Sequence, residues 1–157
     1  QAFGLLNGGP KAVDVLAAAE KGEVKTLILF GADLTTAFTA EQLERALEKV
    51  QVIVCDTDYS GTTEYADVVL PIGAAAETDG SFTNFAGRVQ RIKQAFAPPQ
   101  QAKPGWEALA LLSAKLGGFE PTTISEAFAD LTKNTPAFAG FTYGKLGERG
   151  APLANLS

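Results

Sequence analysis

The sequence predicts an α/β fold in which a mostly parallel, open sheet is flanked by helices. Three short apolar runs, at 24–30, 51–55 and 67–72, have the length and β-branched content of buried strands. Helical periodicity precedes the first run and separates it from the second. This succession of strand, helix and strand is typical of a parallel sheet, with a right-handed connection between its first two strands.

The first helix is predicted over 11–21, where apolar residues recur at helical spacing and Gly22 provides a stop. Pro10 suits the first turn of this helix, because its missing N–H costs little there. The run at 24–30 follows as a strand that ends at Gly31. Since side chains on both faces of this strand are apolar, we expect it to be buried on both sides.

The second helix is predicted over 40–50. Thr39 offers an N-cap, and Gln42 stands three residues later, as in a capping box. The strand at 51–55 begins directly after this helix. The strand at 67–72 closes the series and is stopped by Pro71.

The second half of the chain has weaker patterns. Small, polar and glycine residues at 73–87 predict mostly loop, and imperfect alternation at 88–94 predicts a short strand. Amphipathic helices are predicted over 106–116 and over 124–133. Thr123 or Ser125 serves as the N-cap of the second one.

Two regions are expected, an α/β domain over 1–134 and an aromatic and glycine-rich tail over 135–157. The tail carries Phe138, Phe141 and Tyr143. Two interpretations of these aromatic residues stay open, burial in the core and contact with a partner.

Composition excludes several classes of protein. The net charge of −5 and the lack of a basic stripe argue against nucleic-acid binding. No apolar run approaches the about 20 residues that a membrane-spanning helix needs. Histidine is absent and Cys55 is the single cysteine, so we expect neither catalytic nor metal-binding residues in this chain. Cys55 itself is expected to be buried and inert.

The segment 77–90 is the densest candidate site. One interpretation of these residues is that the segment binds an anion or a pterin through backbone N–H groups near glycines, short polar side chains and one guanidinium. These groups come from Gly80, Ser81, Thr83, Asn84, Gly87 and Arg88. The competing interpretation is a loop that caps its own turns, with Arg88 paired to Glu77 or Asp79.

Two further candidates follow predicted strands. Gly31 and Asp56 stand where open α/β sheets bind ligands, at the carboxyl ends of the strands. The competing interpretation is that both are ordinary turn residues. No dinucleotide-binding glycine motif and no phosphate-binding loop occurs in the chain.

The order of residues after position 64 resembles the signature of the molybdopterin oxidoreductase family, and the resemblance covers roughly 11–120. The phrase at 65–71 (YADVVLP) is followed by Glu77, Gly80, Thr83-Asn84, Gly87-Arg88 and Gln90. The resemblance implies the fold of one domain of these enzymes. It also implies a set of cofactor-binding residues, namely Gly31, Asp56, Glu77, Gly80, Thr83, Asn84, Gly87, Arg88 and Gln90.

Within this family, the stretch from Glu77 to Pro99 is most similar to the large iron–sulfur subunit of respiratory complex I. Two departures from the cofactor-binding members favour that subunit. Asp33-Leu34 stand where an Asn-Pro pair is common, and Gly87-Arg88 stand where formate dehydrogenases and nitrate reductases often carry two arginines. The implied function is a non-redox structural domain with vestigial site residues, which supports electron transfer from NADH to quinone.

This resemblance implies an oxidoreductase complex in which the present chain is not catalytic by itself. No cofactor is expected in the chain, and iron–sulfur clusters are expected in an N-terminal part of the longer subunit. The expected partners are the remainder of that subunit and other peripheral-arm subunits, without nucleic acid and without membrane insertion. The implied location is cytoplasmic, at the inner face of the plasma membrane, or on the mitochondrial matrix side.

Two alternatives from other classes stay open. In one, the chain is a fragment of a true molybdopterin-dependent oxidoreductase, and the segment 77–90 and the turn at Gly31 contribute to pterin binding. In the other, the chain is a small module that binds an anion by itself.

Overall fold

The computed structural model describes residues 9–153. Contacts within the chain divide it into two units, one of Pro10–Ile72 and one from Gly73 onward. Each unit has its own sheet and its own hydrophobic core. The two units are therefore described separately.

The first unit is a parallel three-stranded sheet with two helices. Its strands lie in the order β1-β2-β3, and all neighbouring pairs are parallel. Along the chain the elements are α1 (Ala12–Glu20), β1 (Thr26–Phe30), α2 (Ala40–Leu47), β2 (Gln51–Asp56) and β3 (Val68–Pro71). The predicted α/β class, the parallel sheet and the order of these elements are confirmed.

The predicted capping box at the start of α2 is also confirmed. The Thr39 N–H donates to Gln42 Oε1 at 2.9 Å, and the Gln42 N–H donates to Thr39 Oγ1 at 3.3 Å. The helix ends at Leu47, earlier than the predicted 50. The Val50 N–H donates to the Leu47 carbonyl in a tight turn, which feeds the chain directly into β2.

The core of the first unit lies between one sheet face and the two helices. From the sheet, Leu29, Val52 and Val54 are buried, and α2 contributes Leu43 and Leu47. The prediction that the first strand is buried on both sides is wrong for the opposite face of the sheet. Ile28 and Phe30 of β1 are each 43% exposed, because the unit places both helices against the other face.

The second unit contains a small antiparallel sheet, which the prediction of a mostly parallel fold did not include. Its strands β4 (Gly80–Thr83), β5 (Arg88–Ile92) and β6 (Ala151–Pro152) lie in the order β4-β5-β6. The short strand predicted at 88–94 is confirmed. The loop predicted at 73–87 is wrong over β4, where pairing with β5 forms a strand although only Phe82 and Thr83 of its four residues have high β-propensity.

Two helices complete the second unit, α3 (Gly105–Lys115) and α4 (Ile124–Asn134). Both agree with the predicted helices to within one residue at each end. Of the two candidate caps of α4, Thr123 is the one used, since its Oγ1 accepts the Glu126 N–H at 3.2 Å. Gly117 follows α3 with a φ of 77°, a conformation that favours glycine as a helix stop.

The tail aromatics contribute to the core of the second unit. Phe138 and Tyr143 are buried and pack around Phe128 of α4. Phe141 is partly buried against the same cluster. Core burial is thus the interpretation that the structure supports for these residues, whereas the predicted domain boundary at 134 stays a prediction. Between residues 9 and 153, no helix combines the length and hydrophobicity that crossing a membrane requires.

Candidate functional site

The carboxyl ends of the three parallel strands meet at one edge of the first unit. The Gly31 N–H, just after β1, donates to the Cys55 carbonyl at 2.9 Å. The Ile72 N–H, just after β3, donates to the Asp56 carbonyl at 3.0 Å. Two sequence-predicted site residues, Gly31 and Asp56, therefore lie at the same edge, the one at which parallel α/β sheets bind ligands.

The side chain of Asp56 organises the loop that leaves β2. Its carboxylate accepts the Thr57 N–H at 2.8 Å and the Ser60 hydroxyl at 3.4 Å. A second carboxylate follows, and Asp58 accepts the Thr57 hydroxyl at 3.1 Å. Since a carboxylate offers about four acceptor positions, Asp56 retains capacity for a ligand donor.

A cavity of about 130 Å³ lies beside this loop. It is lined by Asp56, Thr57, Asp58, Tyr59, Val69 and Pro71. The lining combines two carboxylates with apolar side chains and an aromatic ring, and Tyr59 is 90% exposed. Such a surface suits a flat group that donates hydrogen bonds from its edge, whereas two carboxylates disfavour a phosphate.

A network of hydroxyls and a carboxylate connects the loops after β1 and β2. Asp33 Oδ1 accepts the Thr35 hydroxyl at 2.7 Å, the Thr62 hydroxyl at 2.8 Å and the Thr35 N–H at 3.0 Å. Thr62 is fully buried, and its Oγ1 accepts the Leu34 N–H at 2.6 Å. These donors, first the Thr35 and then the Thr62 hydroxyl, hold the pKa of Asp33 below its usual value of 3.8, although burial opposes them.

Thr62, the buried member of this network, was not among the predicted site residues. Thr62 lies 28 residues beyond Leu34 in the sequence, and its neighbours form no motif that marks it. Gly61 was missed as well. A Cβ at Gly61 would lie 2.6 Å from Thr35 Oγ1, so the close approach of the two loops depends on a glycine there.

The other candidate residues lie on the β4–β5 hairpin of the second unit or, in the case of Glu77, in the turn just before it. They are Glu77, Gly80, Thr83, Asn84, Gly87, Arg88 and Gln90. Asn84 Oδ1 accepts the N–H groups of Ala86 at 3.0 Å and Arg88 at 2.9 Å, and its Nδ2 reaches Gln90 Oε1 at 3.4 Å. Gly87 adopts a φ of 71°, so Asn84 and Gly87 together shape the hairpin turn.

The two charged residues of this set, Arg88 and Glu77, are also engaged locally. Arg88 Nη1 donates to the carbonyls of Arg149 at 3.3 Å and Gly150 at 3.1 Å, and not to Glu77 or Asp79. Glu77 accepts the Ala74 N–H at 2.9 Å. These side chains stabilise the fold of their own unit, and ligand binding by the hairpin residues stays a prediction.

Comparison with protein families decides the class of the chain. The model of the molybdopterin oxidoreductase family matches residues 5–115. The chain belongs to the molybdopterin oxidoreductase family. As a member of this family, it carries the signature at 65–90 partly on β3 and partly on the β4–β5 hairpin.

Two relatives of this molybdopterin oxidoreductase chain carry names of formate dehydrogenases. The F420-dependent formate dehydrogenase 1 subunit alpha of Methanococcus maripaludis is 35% identical over 149 residues, which cover 92% of this chain and 22% of that subunit. A protein of Staphylococcus haemolyticus, provisionally named a formate dehydrogenase, is 35% identical over 131 residues, which cover 80% of this chain. Those residues are 13% of the Staphylococcus protein, so the chain spans a minor part of both relatives.

A solved structure supports the fold. The chain resembles acetylene hydratase from Pelobacter acetylenicus with a TM-score of 0.58 at 17% sequence identity. The match covers 85% of this chain and 19% of the hydratase chain. At this identity the likeness concerns the fold, and it confirms the expected domain type.

The expectation of a complex I subunit is wrong, because the relatives carry names of formate dehydrogenases. The expected role in electron transfer from NADH to quinone is not supported by these relatives either. The two departures that favoured that subunit have local causes. Gly87 has a positive φ that suits its turn, and the Leu34 N–H, which proline would lack at that position, donates to Thr62.

Proposed function

We propose that the chain is one segment of a molybdopterin-dependent oxidoreductase and that the carboxyl edge of its parallel sheet contributes to binding the pterin cofactor. The single observation that carries this proposal is the cavity beside Asp56, at the ligand-binding edge of a sheet in a chain of this family. The relatives' names make formate the first substrate to assay in the longer protein. Catalysis requires the parts of the longer protein outside this chain.

The residues at the sheet edge fit a pterin-type group in chemistry. A pterin ring carries amino and ring N–H groups, which the carboxylates of Asp56 and Asp58 would accept. The rings are flat, and Tyr59, Val69 and Pro71 offer apolar contact. Because charge-assisted hydrogen bonds are stronger than neutral ones, Asp56 and Asp58 are the residues that would orient the ring edge.

The size of the cavity limits what this edge can hold. A cavity of about 130 Å³ is smaller than the about 300–1,000 Å³ of typical small-molecule sites. The edge therefore holds one part of the cofactor, and the remaining contacts come from elsewhere in the longer protein. When bound, the cofactor supplies molybdenum redox chemistry, whereas this chain's residues bind and orient.

Replacing Asp56 in the longer protein tests the proposal. We expect Asp56→Asn to lower the content of molybdenum and pterin per protein, because the amide loses a charged acceptor worth about 1.5–3 kcal/mol, or at least roughly tenfold in affinity. Metal analysis and pterin fluorescence after gel filtration measure both. Asp130→Asn, a surface change on α4, is the matched control.

An Asp56→Asn protein that folds and retains full cofactor would contradict the proposal. Circular dichroism identifies a variant that fails to fold, and Asp56→Glu then replaces it, since Glu keeps the charge while displacing the carboxylate. Arg88→Lys and Asn84→Ser test whether the hairpin residues contribute to cofactor binding. Loss of cofactor in these variants alone would move the pterin contact to the second unit.

A further inference from the structure

An arginine lies along the core side of the antiparallel sheet. Val89 and Arg91 stand two residues apart on β5, so their side chains point to the same face. Val89 is fully buried in the core of the second unit, in the same cluster as Tyr143. The Arg91 guanidinium lies over the Tyr143 ring, with Cζ 4.4 Å from the ring centroid. Arg91 is therefore a partly buried cation that is held against an aromatic core residue.

This guanidinium has a donor without an acceptor. Arg91 Nε is buried and has no hydrogen-bond partner among residues 9–153. The ion pairs in this part of the chain involve Arg45 and Lys103, and none of them includes Arg91. The contact with Tyr143 uses the flat face of the guanidinium, whereas the N–H groups point outward in its plane. Stacking on Tyr143 therefore leaves the Nε–H unpaired, which is costly for a buried donor of a charged group.

Ser81 adds a hydroxyl beside this guanidinium. Ser81 and Arg91 stand directly opposite each other in the β4–β5 register. The Asn84 N–H donates to the Arg88 carbonyl at 3.0 Å, and hydrogen-bonded pairs alternate with non-hydrogen-bonded pairs along antiparallel strands. Ser81 and Arg91 thus form a non-hydrogen-bonded pair, in which opposite side chains lie closer together. A hydroxyl and a guanidinium are therefore neighbours on one face.

The chemistry of these groups selects the kind of ligand. The Nε–H of a guanidinium and a neighbouring Nη–H form a fork that matches two oxygens of one oxyanion. One guanidinium compensates one negative charge, so a monoanion leaves no net charge at this partly buried position, whereas a phosphate dianion does. The chain carries a net charge of −5, which adds repulsion against a second negative charge. A carboxylate is therefore the oxyanion that suits this position.

We propose that Arg91 and Ser81 bind a small monocarboxylate on this face of the second unit. The guanidinium fork holds both carboxylate oxygens, and the Ser81 hydroxyl donates to one of them. Bound in this way, the carboxylate supplies the acceptor that Arg91 Nε lacks among residues 9–153. Neither residue belongs to the cofactor-binding set described above, so the inference goes beyond the proposed function.

Formate, the smallest carboxylate, is the probe for this site. NMR follows the arginine Nε–Hε signals of the isotope-labelled 157-residue chain while sodium formate replaces sodium chloride at constant ionic strength. We expect the Arg91 signal to move in a saturable way, with half-saturation at about 1–50 mM, since a few charge-assisted hydrogen bonds give millimolar affinity. Arg45 is the internal control. Its signal should not saturate, because its Nε already lies 3.4 Å from Glu20 Oε1.

Variants and a second anion divide the contributions to this site. Arg91→Lys identifies the Arg91 signal by its loss. Ser81→Ala should weaken formate binding by about two- to tenfold, the range for one hydrogen bond, while it keeps the contact between Arg91 and Tyr143. Ser125→Ala, an exposed change on α4, is the matched control and should leave the affinity unchanged. Inorganic phosphate, added as the dianion, should bind more weakly than formate.

Three outcomes would overturn the inference. One is an Arg91 signal that formate moves no more than chloride does. Another is an equal response of Arg91 and Arg45, which would show an effect common to exposed cations. The third is tighter binding of phosphate than of formate, which would reject the monocarboxylate. If Arg91→Lys fails to fold, through-bond assignment identifies the Arg91 signal instead. Because the titration involves no molybdenum, its result is independent of the proposed cofactor binding.

Discussion

A single buried hydroxyl, that of Thr62, connects the loops after β1 and β2 at the candidate site. It accepts the Leu34 N–H and donates to Asp33, so it satisfies one backbone group and one carboxylate at once. Buried donors that lose their acceptor cost more than the net value of the bond. The shape of the ligand-binding edge therefore depends on a residue that is not part of the lining of the cavity beside Asp56.

Thr62→Val should destabilise the first unit by about 1–3 kcal/mol, because it leaves the Leu34 N–H buried without its acceptor. Urea unfolding measures this, and Thr26→Val, an exposed change on β1, is the control with little expected effect. The same variant should raise the pKa of Asp33 toward 3.8, since one of its donors is lost. Carbon-detected NMR titration of the Asp33 carboxyl measures the shift.

The sign of the pH dependence follows from the lowered pKa of Asp33. A carboxyl whose pKa is lower in the folded state stabilises the fold above its unfolded value, here 3.8, and this contribution is lost as pH falls through the folded value. Thr62→Val should therefore lose less stability below pH 3.8 than the wild type does. Identical stability and identical Asp33 titration in both proteins would contradict the role given to Thr62.

At the scale of elements, the β4–β5 hairpin is held in place by the tail that returns to it. The Tyr143 hydroxyl lies 3.1 Å from the Gly80 carbonyl and 3.3 Å from the Ile92 carbonyl, so it bridges both strands. The tail then adds β6 beside β5. The signature residues Arg88 and Gln90 thus lie in β5, the middle strand of this sheet. The third strand, β6, comes from the last described residues of the chain.

Gly150→Ala should destabilise the second unit by at least about 2 kcal/mol, through positive-φ strain and a steric clash. Gly150 has a φ of 67°, and a Cβ there would collide with the Val89 carbonyl. Gly140→Ala is the matched control, because its φ is 84° but the space around it is open. Near-ultraviolet circular dichroism, recorded during unfolding, compares the stability of the two variants. An equal loss of stability in both would contradict the close approach of the tail to β5.

At the scale of the whole molecule, cofactor retention should require more than this chain. The cavity at the sheet edge has room for only part of a pterin cofactor. We expect the 157-residue chain, produced alone, to contain no stoichiometric molybdenum, whereas the longer protein contains it. Metal analysis of both preparations checks this, and stoichiometric molybdenum with pterin in the chain alone would show that the site is complete within it.

The sequence by itself determined the elements whose signals are local. The apolar runs, the capping box at Thr39 and Gln42 and the periodicity of the helices act over a few residues, so they predict α1 to α4 and the parallel strands. The ordered signature at 65–90 likewise identified the family, which the family match confirms. It did not identify the subfamily, because the residues used for that choice serve local turns.

Only the tertiary structure decided which distant residues meet. β4 is a strand because β5 pairs with it, and Thr62 belongs to the site edge because two loops fold together. The same holds for the two faces of β1, since its residues are apolar on both sides and only packing shows which side lies against α1 and α2. Burial and pairing are set by contacts between residues far apart in the chain, which no local pattern encodes.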